Sequence, residues 1–137
     1  FAETNPEIDD RIDGVFIGLN QREAGLIVDS RMAWHFMPGS LKIYLMVPVE
    51  VAAARIIGDH SRKYEKYSDP DHAIHDLKER KSSENRRFLE KYGVDCTNPG
   101  NFDIAITTAH ISPDQVAAII LAGLKSIKKV ELSKNYM

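Results

Sequence analysis

Arg80, Glu84 and Arg87 stand at i, i+4 and i+7, which puts them on one face of a helix if that stretch is helical. Two guanidiniums on one face offer planar, bidentate donors for a phosphate, and a carboxylate between them can orient both or accept from a sugar hydroxyl. The three lie within 78–87, a run of Arg, Lys, Glu, Ser and Asn with no apolar side chain. A helix packed on a domain normally shows an apolar residue every three or four positions. The run therefore either stands in water, laced by weak surface ion pairs, or looks into a polar cavity that takes a charged ligand. Asp29-Ser30-Arg31 bears on that choice. Asp29 closes a short apolar run, where a carboxylate can hold magnesium, usually through water, and Arg31 can reach an anion at the same edge. A plain turn residue is the other reading of Asp29.

Other chemistries lack a constellation. His35, His60, His72, His75 and His110 show no metal-site spacing, and His72 with His75 has no carboxylate framework to complete it. Cys96 has no partner for a nucleophilic role, and Ser30 lacks the flanking glycines of a nucleophile elbow.

The elements that must position these residues follow from periodicity. Asn5-Pro6 starts a helix over 6–22, with Ile8, Ile12, Val15, Phe16 and Leu19 as its apolar stripe and Glu7, Asp9, Asp10, Arg11 and Asp13 as a solvated outer face. Residues 25–31 read as a strand buried on both sides, as in a parallel sheet. Residues 32–39 form a turn or two of helix ended by Pro38-Gly39, and 41–47 is the clearest strand. A helix over 49–57 is opened by Pro48 and ended by Gly58. Residues 59–68 form a polar excursion able to close over a site. Asp69-Pro70 then opens a helix over 70–92, about 34 Å long at about 1.5 Å per residue. A strand over 102–106, a capping box at Ser112-Pro113-Asp114-Gln115 and a final helix follow, with a frayed tail after Lys128. Short apolar strands alternating with helices predict an α/β three-layer domain with a parallel sheet, whose ligands sit at the carboxyl ends of the strands.

Composition bounds the rest. The 137 residues make about one domain, and 18 Lys+Arg against 20 Asp+Glu leave a net charge of −2, so neither nucleic acid nor an anionic membrane is an expected partner. A single cysteine excludes an intrachain disulfide and fits a cytoplasmic setting. No apolar run approaches the roughly 18 residues of a membrane span.

Taken in order, these segments resemble cytidylate kinases, in the archaeal-type branch of the nucleoside monophosphate kinases. The resemblance rests on Asp29-x-Arg31, Leu41-Lys42-Ile43-Tyr44-Leu45, Arg55, Lys78-Glu79-Arg80-x-x-x-Glu84-x-x-Arg87, Tyr92-Gly93-Val94-Asp95, 102–108 and 111–116, from about Glu7 to Leu124. It implies a P-loop kinase fold, with residues 1–128 as the kinase core, a lid at about 58–69, and 129–137 as a tail. Asp29 matches the acidic residue near magnesium, and Arg31 the arginine that binds the acceptor phosphate. Arg80 and Arg87 match the arginines that bind the monophosphate and neutralise the transferring phosphoryl, and Glu84 the position that contacts the ribose. Arg55 and Arg62 would reach the donor phosphates of ATP. Phosphoryl transfer needs positioning and charge neutralisation more than covalent chemistry, which such a site supplies.

The departures are specific. Met32 stands where bacterial members have an Asp that reads cytosine, which leaves base preference open. An arginine due soon after Arg55 is replaced by Asp59 or displaced to Arg62. No Gly-x-x-x-x-Gly-Lys-Ser/Thr occurs in these 137 residues. With Phe1 in place of an initiator Met, the chain is expected to lack the first strand and phosphate loop, to be inactive alone, and to expose a sheet edge open to a homodimer. The full-length parent is expected to transfer a phosphoryl group from ATP, with magnesium, to CMP or dCMP. A small P-loop kinase with another acceptor, or a non-catalytic nucleotide-binding module, is the alternative.

Overall fold

The computed structural model describes residues 6–21, 25–59, 61, 67 and 69–134, the side chain of Pro6 and those beyond Ile127 excepted. Its elements are α1 (Pro6–Asn20), α2 (Ala33–Phe36), β1 (Ile43–Met46), α3 (Val49–Gly58), α4 (Pro70–Tyr92), a 3₁₀ turn (Pro99–Asn101), β2 (Ile104–Thr107) and α5 (Pro113–Lys134). The fold is mixed α/β with a two-stranded parallel sheet. It divides into two compact units, Phe1–Lys42 with Asp76–Asp103, and Ile43–His75 with Ile104–Met137.

In the second unit β1 and β2 pair in parallel, Ile43 opposite Ile104 and Met46 opposite Thr107. The ladder closes where the Thr108 amide donates to the Met46 carbonyl at 2.8 Å. Ala53, Ala73 and Ile106 are its buried apolar residues. α5 starts with the expected capping box: Ser112 Oγ accepts from the Gln115 amide, and Gln115 Oε1 from the Ser112 amide. It lies close on β2, since a Cβ at Gly123 would come within 2.7 Å of Ile104 Cδ1. The helix runs to Lys134, so the tail expected to fray after Lys128 is helical over most of its length.

The first unit gathers Phe16, Ala33 and Met37 into a core flanked by Leu19, Val28 and Phe36. Residues 25–30 correct the sequence reading. They carry no regular secondary structure and pair with no strand among the described residues, and Ile27 is fully exposed. A strand exists only through its ladder, and apolar composition alone cannot supply the partner. Among the described residues the sheet expected from the sequence is represented by two strands. α1 corrects a second expectation. Ile12, Val15 and Ile17 are exposed, whereas Asp9 and Phe16 are buried, so the helix turns a partly acidic face inward.

Candidate functional site

α4 forms over the expected range. It is opened by Asp69, whose side chain accepts from the Asp71 amide, and it ends at Gly93. Gly93 has φ +69°, the left-handed conformation that lets a helix end cleanly, and its amide donates to the Leu89 carbonyl at 2.9 Å. The second half of the helix is held in the first unit by buried Phe88 and by three acidic residues of α1. Asp9 Oδ2 lies 3.3 Å from Arg87 Nε, Lys91 Nζ donates to Asp10 at 2.6 Å, and the Tyr92 hydroxyl donates to Asp13 at 2.7 Å. Burial, helped by the hydrogen bond to Asp13, pushes the Tyr92 phenol up to about 12.

This anchoring fixes one side of the expected stripe. Glu84 Oε1 accepts from Arg31 Nη1 and lies 3.9 Å from Arg80 Nε. Two guanidiniums whose residues are far apart in sequence therefore converge on one carboxylate oxygen. Both arginine side chains are more than half exposed, while Glu84 is largely covered. The carboxylate occupies the kind of position that an anionic oxygen of a ligand would take between two arginines.

Arg31 is presented by a short, tightly bonded turn. Ser30 Oγ accepts from the amides of Met32 and Ala33, capping the first turn of α2, and the Trp34 indole N–H donates to the Arg31 carbonyl at 2.9 Å. Trp34 is itself packed on Phe102, ring centroids 5.4 Å apart. The floor beneath is aromatic, with Phe36 and His35 edge-on to one another and both against Tyr92. On the far side of Glu84, Asn85 accepts from the Cys96 amide at 2.9 Å and so ties the 95–98 turn to α4. Burial, with the charges of Asp95 and Glu84, raises the Cys96 thiol above its ordinary range, which suits a packing role beside Met32.

Arg87 differs from the other two arginines. Its side chain is mostly covered, its Cζ lies 5.0 Å from the Phe88 ring centroid, and its Nε is buried with no hydrogen-bond partner in the protein. The charge it faces is the Asp9 carboxylate, 3.3 Å away. Asp29 is exposed. Among the described residues no group of three or more His, Cys, Asp or Glu could hold a metal.

In the second unit, Arg55 donates to the Thr108 carbonyl at 2.5 Å and to its hydroxyl at 3.3 Å, at the carboxyl end of β2. Arg62 and most of the expected lid lie outside the described residues. No helix among those residues is long and apolar enough to cross a membrane.

Arg31, Arg80 and Glu84, singled out in the sequence, lie together, whereas the contacts of Asp9 with Arg87, Trp34 with Arg31 and Asn85 with Cys96 were not anticipated. The signal for Asp9 lay in the spacing: Asp9 and Asp13 repeat at i, i+4, as do Arg87 and Lys91.

Known proteins bear on this arrangement. The chain is 34% identical over 127 residues to a cytidylate kinase of Methanobrevibacter smithii, covering 93% of this chain and 70% of that protein. It is 37% identical over 138 residues to a cytidylate kinase of Sulfolobus acidocaldarius, covering 98% and 71%. It also matches 24% of the length of an S-adenosylmethionine-dependent nucleotide dehydratase of Lacinutrix mariniflava, at 31% identity over 121 residues. No family model and no solved structure matches. Each of these relatives is, by name, an enzyme of nucleotides. The chain belongs to the cytidylate kinase family, and it spans about 70% of the length of the first two relatives.

Proposed function

We propose that the Arg31–Glu84–Arg80 cluster, with Arg87, is the acceptor-phosphate site of a nucleotide kinase that moves a phosphoryl group from ATP to a pyrimidine nucleoside monophosphate, CMP or dCMP. The observation that carries this reading is the convergence of Arg31 and Arg80 on one oxygen of Glu84. A phosphate entering there offers several oxygens to two guanidiniums, while Glu84 is left to accept from a sugar hydroxyl. Arg87, mostly covered and paired with Asp9, is the third donor, suited to charge that develops during transfer. Family membership supplies the reaction class, and both relatives named cytidylate kinase support the cytosine nucleotide.

Asp29 fits magnesium as a single carboxylate acting through water. That is the usual way this ion is held when phosphates supply its other ligands. The ion would neutralise phosphate charge. Arg55, pinned at the carboxyl end of β2, is the candidate for the donor phosphates, and Arg62 a second. Because no phosphate-cradling Gly-x-x-x-x-Gly-Lys-Ser/Thr occurs among these residues, transfer by the 137-residue chain alone is not expected, and binding is the property to measure. Calorimetric titration should show CMP and dCMP binding at least about tenfold more tightly than AMP. Equal affinity for AMP would replace the pyrimidine reading with a kinase for another acceptor.

A further inference from the structure

We propose that Asp9 is a positioning residue for Arg87, holding its guanidinium in place for the acceptor phosphate; this rests on the acceptor-site reading above. Among the described residues Asp9 is the one buried charged side chain, 7% exposed, and it sits on a helix whose apolar Ile12 and Val15 face solvent. Burying a carboxylate costs several kcal/mol unless a well-aligned partner offsets it. Stability alone gives little reason for that cost. Asp10 with Lys91, and Asp13 with Tyr92, already join α1 to α4 through short hydrogen bonds.

The Asp9–Arg87 contact is of another kind. Oδ2 lies 3.3 Å from Nε, yet no hydrogen bond takes the buried Nε–H. The pair is thus a poor device for tying two helices together. It is a good device for fixing a charge. A carboxylate on one side and the Phe88 ring 5.0 Å from Cζ confine the guanidinium. Arg31 and Arg80, whose side chains are more than half exposed, pair instead with Glu84. A donor ordered before the ligand arrives loses less side-chain entropy on binding.

The test uses the 137-residue chain with ¹⁵N-labelled arginine. The Arg87 Nε–H signal is followed by its heteronuclear NOE, and CMP binding by calorimetry, in wild type, Asp9→Asn, Asp9→Glu and Tyr92→Phe. In wild type the Arg87 signal should be as ordered as the backbone. In Asp9→Asn it should fall to the level of exposed arginines, with CMP affinity down about tenfold. Asp9→Glu should recover part of both. Tyr92→Phe should lower the melting temperature yet leave the Arg87 signal and CMP affinity unchanged. An unchanged Arg87 signal in Asp9→Asn overturns the proposal, as does a parallel loss of affinity in Asp9→Asn and Tyr92→Phe. If Asp9→Asn does not fold, Asp9→Glu decides, because the longer side chain must still disturb the Arg87 signal. Should wild type bind no CMP, the acceptor-site reading fails, while the NOE comparison still decides whether Asp9 orders Arg87.

Discussion

Replacing Arg31 or Arg80 by Ala separates a ligand-binding cluster from a structural ion pair, because the two roles predict effects of different size. At 3.9 Å the Arg80–Glu84 attraction is about 1 kcal/mol in water, and both arginine side chains are more than half exposed. Exposed pairs of this sort contribute about 0–1 kcal/mol to folding. Either substitution should therefore lower the melting temperature by only a few degrees, as expected for about 1 kcal/mol in a domain of this size. Binding is a different matter. Removing one charged hydrogen bond to a phosphate costs about 1.5–3 kcal/mol, or about 10- to 150-fold in Kd. Thermal melting and calorimetric titration of CMP on the same samples measure both quantities. A variant that melts more than about 10 °C lower while CMP affinity holds would show the cluster to be structural and refute the reasoning.

Other outcomes follow from single residues. Tyr92 should make the stability of the wild type fall, relative to Tyr92→Phe, as pH rises from about 10 to about 12. Its folded pKa is raised, so folding is favoured while the phenol is protonated and loses that advantage as the pH passes from the ordinary tyrosine value of 10.0 toward about 12. Urea melts of both proteins across that range measure the divergence, and parallel curves would deny the half-buried Tyr92–Asp13 bond. Gly93→Ala should cost about 1–2 kcal/mol through backbone strain alone, since φ is +69° and a Cβ there would meet nothing within 4 Å. Denaturant unfolding checks it, and an unchanged midpoint would contradict the left-handed helix end.

Much of the fold was legible where local chemistry decides local structure. The 70–92 helix, bounded by Asp69-Pro70 and Gly93, and the capping box at Ser112 were readable because each motif satisfies its own backbone groups. The Arg80–Glu84 spacing was legible for the same reason. What failed depended on partners distant in sequence. Residues 25–30 have strand composition, but composition does not provide a ladder. The acidic face of α1 read as solvated because periodicity records which residues are apolar, not whether a facing helix offers Arg87, Lys91 and Tyr92. Trp34 was overlooked because its role, a hydrogen bond to the Arg31 carbonyl, leaves no trace in spacing.

The central claim is that two arginines and Glu84 receive the phosphate of a nucleoside monophosphate. Calorimetric comparison of CMP with cytidine on the wild-type chain tests it most directly, since the ligands differ only in that phosphate. The account predicts that CMP binds at least about tenfold more tightly, and that the advantage shrinks as salt rises because the contacts are ionic and partly exposed. Equal affinity for cytidine and CMP would contradict it.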